Sequence, residues 1–358
     1  MKSSLQEKAV PALSLRRQWR EIRDTKSMRN RDIAAFLGVS EGELVASTCG
    51  EETTRLQGPF GKLIEQLPAL GNVMALTRNE SAVHEKIGTY ENGSITGPMG
   101  LVLGEAIDLR LFMSQWKFGY ALNEKKHDST LHSPQFFDGS GTAVHKIFLR
   151  HDSNRDAFDA LVQRYGAPSQ EAGEIVAASA EDVAENSDEA IDQPGFRIAW
   201  EALQDTHEFF GMLRRFKVSR TQALRLADPQ YAWPVQTSSL RTALERASAS
   251  GLPTMVFVGN AGCIQIHTGS VNNVVVRDRW LNVMDPGFNL HMREDHIASA
   301  WVVCKPTSEG IVTSLELFDD KGRNLALIFG KRKPGIPELE NWRALAAQLP
   351  RANTETLQ

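Results

Sequence analysis

The residue of this sequence best suited to chemistry is His207, which lies in the segment I-A-W-E-A-L-Q-D-T-H-E-F-F-G-M-L at Ile198–Leu213. The apolar spacing predicts one helix over this segment, with four residues in a single stripe: Trp200, Leu203, His207 and Phe210. An imidazole in such a stripe can be a core residue whose ring nitrogens are hydrogen-bonded. It can also be a ligand presented to the metal of a flat apolar cofactor. Both interpretations stay open for His207 at this point.

A second candidate is Arg110, because apolar residues alternate along a predicted strand at Ile107–Phe112. Asp108, Arg110 and Phe112 would share the face opposite the aliphatic row. Such polar faces usually meet water. An arginine beside an aromatic ring can, however, hold a carboxylate or a polarised oxygen next to a planar ring system, which makes Arg110 a candidate binding residue.

The remaining histidines give weaker signals. His84 and Lys86 share one face of a predicted strand at Val83–Ile87, and His267 ends the equivalent strand at Cys263–His267. We expect surface imidazoles at both positions, with a ligand role as the alternative. Five others follow no ligand spacing such as HxxxH: His127, His132, His145, His151 and His296.

The segment Arg29–Ser47 imitates a DNA-reading helix-turn-helix. Its second helix would begin with Ser40, Glu41, Gly42 and Glu43, which would set carboxylates against phosphates and argues against nucleic acid. We therefore expect two helices packed about a tight glycine turn. The sequence has no GxGxxG, P-loop, GxSxG or HExxH motif, so dinucleotide, nucleotide, acyl-transfer and zinc-protease chemistry lack support.

The elements that must position these residues occur twice. One offset of 181 residues relates many identical pairs, among them Trp19 and Trp200, Asn79 and Asn260, Gly88 and Gly269, Phe137 and Phe318, and Gly141 and Gly322. This indicates a tandem duplication and not a short-period solenoid. We predict an N-terminal repeat at residues 12–167, a linker at 168–195 and a C-terminal repeat at 196–350. The linker carries eight acidic residues and no basic one, so we expect it to be flexible and self-repelling.

Each half shows the same order of predicted elements: two helices, a run of strands, a hairpin and a closing helix. Strands at Val73–Thr77 and Thr254–Val258 open the two sets, and helices at Asp156–Tyr165 and Leu339–Gln348 close them. Hairpins that follow helices imply a large, mostly antiparallel β-sheet flanked by helices in each half. The expected fold class is therefore α+β.

Composition bounds the class of protein. The 358 residues are 41% hydrophobic and 23% charged, as in an ordinary globular protein, and the net charge of −4 gives no reason to expect a nucleic-acid or membrane-surface partner. The three cysteines are far apart and form no CxxC pair, which fits a reducing compartment. The N-terminal segment lacks the apolar h-region of a signal peptide and no apolar run of 18 residues occurs, so we expect a cytoplasmic protein without membrane insertion.

Several strings together resemble one family, the bacterial cytoplasmic haemin-degrading and haemin-transport factors of the HemS, ChuS and HmuS type. The strings are R-N-E-S-A-V-H-E-K-I-G at Arg78–Gly88, D-L-R-L-F at Asp108–Phe112, W-E-A-L-Q-D-T-H-E-F-F at Trp200–Phe210, M-V-F-V-G-N at Met255–Asn260, K-P-T-S-E-G at Lys305–Gly310 and T-S-L-E-L-F at Thr313–Phe318. The resemblance covers nearly everything except the tails and the acidic linker.

The resemblance implies a haem held in a cleft of the C-terminal half. By position, the axial histidine falls on His207 and the distal arginine, which comes from the N-terminal half, on Arg110. The other implied site residues are the pocket aromatics Phe112 and Phe257, the propionate-binding cations Lys305 and Arg332, and His84 at a second haem found in one member type. Lys26 stands where the duplication would put a second axial histidine, so we expect one haem per chain.

The family leaves two functions open. One is an enzyme that opens the haem ring and frees iron with electrons from an external reductant or reductase. The other is a haem carrier that receives haem at an inner-membrane transporter and passes it to a separate haem oxygenase. Both need the same ligands, and the sequence does not separate them.

Overall fold

The structure is a computed structural model that describes residues 11–26, 28–126, 129–178, 185–333 and 335–352. No helix in these ranges is long and apolar enough to cross a membrane. His127 lies outside the described residues. The chain forms two compact units. The described residues of unit 1 are 11–26, 28–76, 87–126, 129–178 and 260–263, and those of unit 2 are 77–86, 185–259, 264–333 and 335–352.

Helices precede and follow the strands in both units. The α-helices of unit 1 are α1 (Ala12–Thr25), α2 (Asn30–Leu37), α3 (Glu41–Ala46), α4 (Phe60–Ile64) and α5 (Arg155–Tyr165). Those of unit 2 are α6 (Gln193–Glu201), α7 (Glu208–Phe216), α8 (Arg220–Leu226), α9 (Ser239–Ser250) and α10 (Glu340–Ala347).

The strands follow the same duplicated order. The first nine are β1 (Thr53–Leu56), β2 (Val73–Arg78), β3 (Ala82–Gly88), β4 (Ser94–Thr96), β5 (Met99–Leu103), β6 (Asp108–Phe112), β7 (Phe118–Lys126), β8 (Ser129–Phe137) and β9 (Ala143–Leu149). The second nine are β10 (Ala232–Val235), β11 (Thr254–Gly259), β12 (Cys263–Gly269), β13 (Val274–Arg277), β14 (Trp280–Asp285), β15 (Phe288–Arg293), β16 (Ser299–Thr307), β17 (Gly310–Phe318) and β18 (Asn324–Gly330).

Strand pairing confirms the predicted α+β duplication. In unit 1 the antiparallel order is β1-β7-β8-β9-β2. Unit 2 repeats it strand for strand as β10-β16-β17-β18-β11, with β12 added beside β11. Unit 2 also contains the antiparallel order β3-β15-β14-β13, and unit 1 the order β6-β5-β4.

The period-two alternation of apolar residues in the sequence corresponds to alternating burial along the strands, so that one face of a strand is buried. Along β6, Leu109 and Leu111 are fully buried while their neighbours are half-buried. Leu290 plays the same part in β15, where burial again alternates residue by residue. Trp342 of α10 is fully buried in the core of unit 2, and its indole donates a hydrogen bond to the carbonyl of Thr313. The apolar faces of sheet and helix thus cover each other.

The segment that resembles a helix-turn-helix consists, as predicted, of two helices, α2 and α3, joined by a turn that contains a glycine. Gly38 ends α2 in the left-handed conformation, with φ of 69°. Ser40 and Glu43 form a reciprocal capping box at the start of α3. Glu41 is buried and pairs with Lys146, so the first turn of α3 faces the interior of its own unit.

The acidic segment is held at both of its described flanks. The phenol of Tyr120 donates to Glu174, whose carboxylate also pairs with Arg55. In unit 2, the carboxylate of Glu185 pairs with Arg225 at 2.8 Å. The prediction of a flexible, self-repelling chain is wrong for these flanks, because cations of the folded units neutralise their carboxylates.

Candidate functional site

The predicted helix at Ile198–Leu213 is wrong as a single helix, because α6 ends at Glu201 and α7 begins at Glu208. Local hydrogen bonds explain the break. The Glu208 carboxylate accepts the backbone N–H of Gln204 at 2.8 Å and that of Asp205 at 3.3 Å. Side-chain acceptors of this kind offer the backbone an alternative to the helix.

His207 consequently lies immediately before α7, and its side chain is 90% exposed. One carboxylate oxygen of Asp205 accepts two hydrogen bonds from His207, from the backbone N–H at 2.8 Å and from ring Nδ1 at 2.6 Å. The predicted stripe divides at this point, since Trp200 and Leu203 are buried in the core while Phe210 is 61% exposed. Exposure rejects the interpretation of His207 as a core histidine.

Two other loops of unit 2 meet the His207 turn. The backbone N–H of Ser308 donates to the carbonyl of Gln204 at 2.9 Å. Arg332 lies 3.7 Å from the Glu309 carboxylate. The hydrogen bonds from His207 lower the pKa of Asp205, and the positive charge of Arg332 adds to this effect. Arg332 therefore lies beside the turn.

Lys305 does not fit the carried-over propionate role. Its side chain is buried, at 4% exposure, and its ammonium donates to Glu316 at 2.7 Å. Burial lowers the pKa of Lys305, and Glu316 opposes this shift. Burial alone would raise the pKa of Glu316, but Arg220 and Lys305 hold it well below its usual range. The sequence gives no sign that these three charged side chains meet in the interior.

Phe257 and Phe112, the two predicted pocket aromatics, are half-buried in their own units. Phe257 of β11 packs against the ring of Phe329, with centroids 5.0 Å apart. Phe112 ends β6, and its backbone N–H donates to the carbonyl of Gly262 at 3.0 Å.

Arg110 occupies the polar face of β6, as the alternation predicts, and one third of its side chain is exposed. One of its terminal nitrogens, Nη1, donates to Asp108 and to the carbonyl of Leu109, the latter at 3.2 Å. Among the described residues, the guanidinium atoms Nε and Nη2 have no hydrogen-bond partner. Burial raises the pKa of Asp108, while Arg110 opposes that shift. Arg110 is thus fixed at one nitrogen and open at the others.

The expectation that His84 and His267 lie on the surface is wrong. His84 is fully buried, with Nε2 3.2 Å from the carbonyl oxygen of Val256. The His267 ring stacks on Phe288 at 3.8 Å, and its Nδ1 lies 3.2 Å from the ammonium of Lys86. Burial lowers the pKa of His84 well below the ordinary histidine value and that of His267 to about 3. The polar face of β3 points into unit 2, which no property of that strand alone reveals.

Four of the other described histidines lie next to nearby polar side chains. His145 is buried against the phenol of Tyr90, His132 meets Asn123, and His296 meets Ser81. His151 is exposed near Asp152. In the described ranges no group of three or more His, Cys, Asp and Glu residues is arranged to hold a metal ion.

Comparison with known proteins places this architecture in a family. The pattern described as "Haemin-degrading HemS.ChuX domain" matches residues 38–165 and again 217–349. The hemin transport protein HmuS of Yersinia pestis is 39% identical over 320 residues, which cover 89% of this chain and 92% of that protein.

Two solved structures are similar over nearly the whole chain. Holo-PhuS, a heme-binding protein from Pseudomonas aeruginosa, has a TM-score of 0.94 at 44% identity, covering 96% of this chain and 100% of that one. ChuS, described as an E. coli heme oxygenase, has a TM-score of 0.85 at 36% identity and covers 94% of this chain and 99% of that one. With both of its repeats matched, the chain belongs to the haemin-degrading HemS/ChuX family.

Proposed function

We propose that this protein binds haem through His207, in the cytoplasm, and degrades it to release iron during haem uptake. The observation that carries the proposal is the exposed imidazole ahead of α7, which is hydrogen-bonded at Nδ1 and open at Nε2 among the described residues. A neutral imidazole with one free nitrogen is the usual proximal ligand of haem iron.

The surroundings of His207 fit the rest of a haem. A macrocycle gains from covering apolar surface, and Phe210 offers a ring that is 61% exposed one turn from the histidine. Propionates need cations or water. Arg332 supplies a cation beside the turn, and its buried Nε has no hydrogen-bond partner among the described residues. Lys305 is left out of this site, because its charge is neutralised internally by Glu316.

The roles of the remaining site residues are proposed from the chemistry of their side chains. Arg110, open at Nε and Nη2, would donate charge-assisted hydrogen bonds on the distal side of the haem. Phe112 and Phe257 would supply apolar contact. His84 is fully buried and bonded to Val256, so the proposal has one haem per chain.

Haem itself supplies the redox chemistry of ring opening, with electrons from an external reductant. The residues of this chain bind the ring, orient it and place hydrogen-bond donors. A second candidate function is a haem carrier between an inner-membrane transporter and a separate haem oxygenase. The relatives support both, since one is described as a hemin transport protein and another as a heme oxygenase.

Titration with haemin, followed by absorption at the Soret band, tests the ligand assignment. We expect a shifted band in the natural protein and weaker binding with an altered band in His207→Ala. His151→Ala is the matched control, because His151 is equally exposed beside an aspartate, and it should behave like the natural protein. An unchanged spectrum in His207→Ala would overturn the assignment.

A second experiment separates the enzyme from the carrier. The haem complex is given a reductant under air with catalase present. Loss of the Soret band with iron release and a bilin-type product supports the enzyme. A stable complex that passes its haem to an added oxygenase supports the carrier and contradicts the proposed catalysis.

A further inference from the structure

We infer that Asp205 is a positioning residue for His207, which fixes the imidazole as the tautomer with its proton on Nδ1 and so presents Nε2 to the haem iron. The inference rests on the proposed function. It adds the residue that determines which ring nitrogen binds and how strongly it donates.

The geometry around one oxygen atom carries the inference. The same oxygen of Asp205, Oδ1, lies 2.8 Å from the backbone nitrogen of His207 and 2.6 Å from its Nδ1. An ionised carboxylate only accepts hydrogen bonds, so both nitrogens must be donors. A neutral imidazole has one ring N–H, and here it is on Nδ1. The lone pair is therefore on Nε2.

The turn holds the backbone of Asp205 in this position independently of the His207 imidazole. The Glu208 carboxylate accepts the backbone N–H groups of Gln204 and Asp205. The carbonyl of Gln204 is in turn fixed by the backbone N–H of Ser308. Because the backbone of residues 204 and 205 is fixed by these hydrogen bonds, the Asp205 carboxylate is already in position before haem binds.

A carboxylate on the outer nitrogen makes a histidine a stronger donor to its metal and fixes its ring orientation. Stronger donation favours the ferric over the ferrous state, so the reduction potential of the bound haem falls. Exposed Asp–His pairs are weak in water, but a haem lying over the turn would exclude water from this one.

The first repeat contains a natural control for this arrangement. Asp24 stands 181 residues before Asp205 and is followed by Lys26 where the second repeat has His207. Asp24 is exposed, and its carboxylate pairs with the adjacent Arg23 at 3.1 Å. Loss of its charge removes one acidic group from the chain without touching the His207 turn.

The test compares Asp205→Asn, Asp205→Glu and Asp24→Asn with the natural full-length protein, each loaded with haemin. The readouts are the ferric/ferrous midpoint potential, the iron–histidine stretch of the ferrous complex in resonance Raman spectra, and the haem dissociation constant. For Asp205→Asn we expect a retained Soret band, a more positive potential, a lower stretching frequency and binding weakened about 10-fold or more. Asp205→Glu should recover part of each change, and Asp24→Asn should show none.

Unchanged potential and stretching frequency in Asp205→Asn would overturn the inference while leaving the haem site in place. Failure of the proposed function has a different signature, namely that His207→Ala keeps the iron–histidine stretch of the natural protein. Circular dichroism of each variant verifies the fold. Because the midpoint potential and the stretch are measured on the haem-bound fraction, a loss of affinity alone does not imitate the predicted shifts.

Discussion

Arg220 binds the carboxylate of Glu316 through two parallel hydrogen bonds, of 2.7 Å from Nε to Oε2 and 2.8 Å from Nη2 to Oε1. Lys305 donates to the same carboxylate, so one fully buried anion is shared by two cations. Both cations also lie over the ring of Phe209, the second residue of α7. The distance to the ring centroid is 5.3 Å for Arg220 and 4.5 Å for Lys305. The network thus packs beneath the helix that follows His207.

Removing that anion should be costly. We expect Glu316→Gln to lower the free energy of unfolding by about 3–5 kcal/mol, because Lys305 would be left as an uncompensated buried charge. Urea unfolding followed by circular dichroism measures the change. Asp159→Asn, in the exposed pair with Arg155, should stay within about 0.5 kcal/mol of the natural protein. A loss below about 1 kcal/mol in Glu316→Gln would show that the two cations find other partners.

Stability should fall in acid because His145 is buried as a neutral ring. Burial lowers its pKa to about 3. Between the unfolded pKa of about 6.5 and this folded pKa, only the unfolded chain takes up the proton, so this contribution to stability is complete above pH ~6.5 and is lost as pH falls towards 3. His145→Gln should reduce the loss by about 1.4 kcal/mol per pH unit within this window. Urea unfolding from pH 7 to 4 measures the slope.

The control for this prediction is His151→Gln, since His151 is exposed and should leave the slope unchanged. An identical slope in His145→Gln and the natural protein would mean that His145 is protonated in the folded state.

Arg110 should matter for turnover more than for binding. We expect Arg110→Ala to retain haem binding and to open the ring at least about 10-fold more slowly, because a positioned charged donor stabilises charge as it develops. Single-turnover decay of the Soret band under reductant measures the rate. Arg293→Ala, on the matching strand and held by Asp295, should leave the rate unchanged. If Arg110→Ala binds haem as poorly as His207→Ala, its role is anchoring.

Gly141 should tolerate no side chain. Its φ is 77°, and an added Cβ would lie 2.1 Å from the hydroxyl oxygen of Ser40, inside the capping box of α3. We expect Gly141→Ala to cost more than Gly38→Ala, which has a similar φ of 69° and open space around it. The backbone strain alone is about 1–3 kcal/mol, and the difference between the two variants isolates the clash. Equal midpoints in thermal unfolding would contradict this.

The duplication and the order of elements along the chain were readable from the sequence, because period-two alternation and a constant offset are visible in a single sequence. Exposure was not. His84 and Lys86 follow the same alternation as a solvated strand face, and only the packing of unit 2 shows that this face is internal.

The break at the His207 turn was missed for a different reason. The stripe of Trp200, Leu203 and His207 has helical spacing, but the side chains of Asp205 and Glu208 bond the backbone between the helices. The pattern D-x-H, an aspartate whose side chain bonds the backbone two residues on, is a turn signal that could have revealed it.

His207 stands before the first turn of α7, and its backbone N–H is bonded to a side chain instead of an earlier turn. Withdrawing the imidazole would therefore break hydrogen bonds of residues 204–207, and none of these is a backbone hydrogen bond within α6 or α7. If haem binds at His207 as proposed, its release would then require a local rearrangement of this turn and no unfolding of α6 or α7.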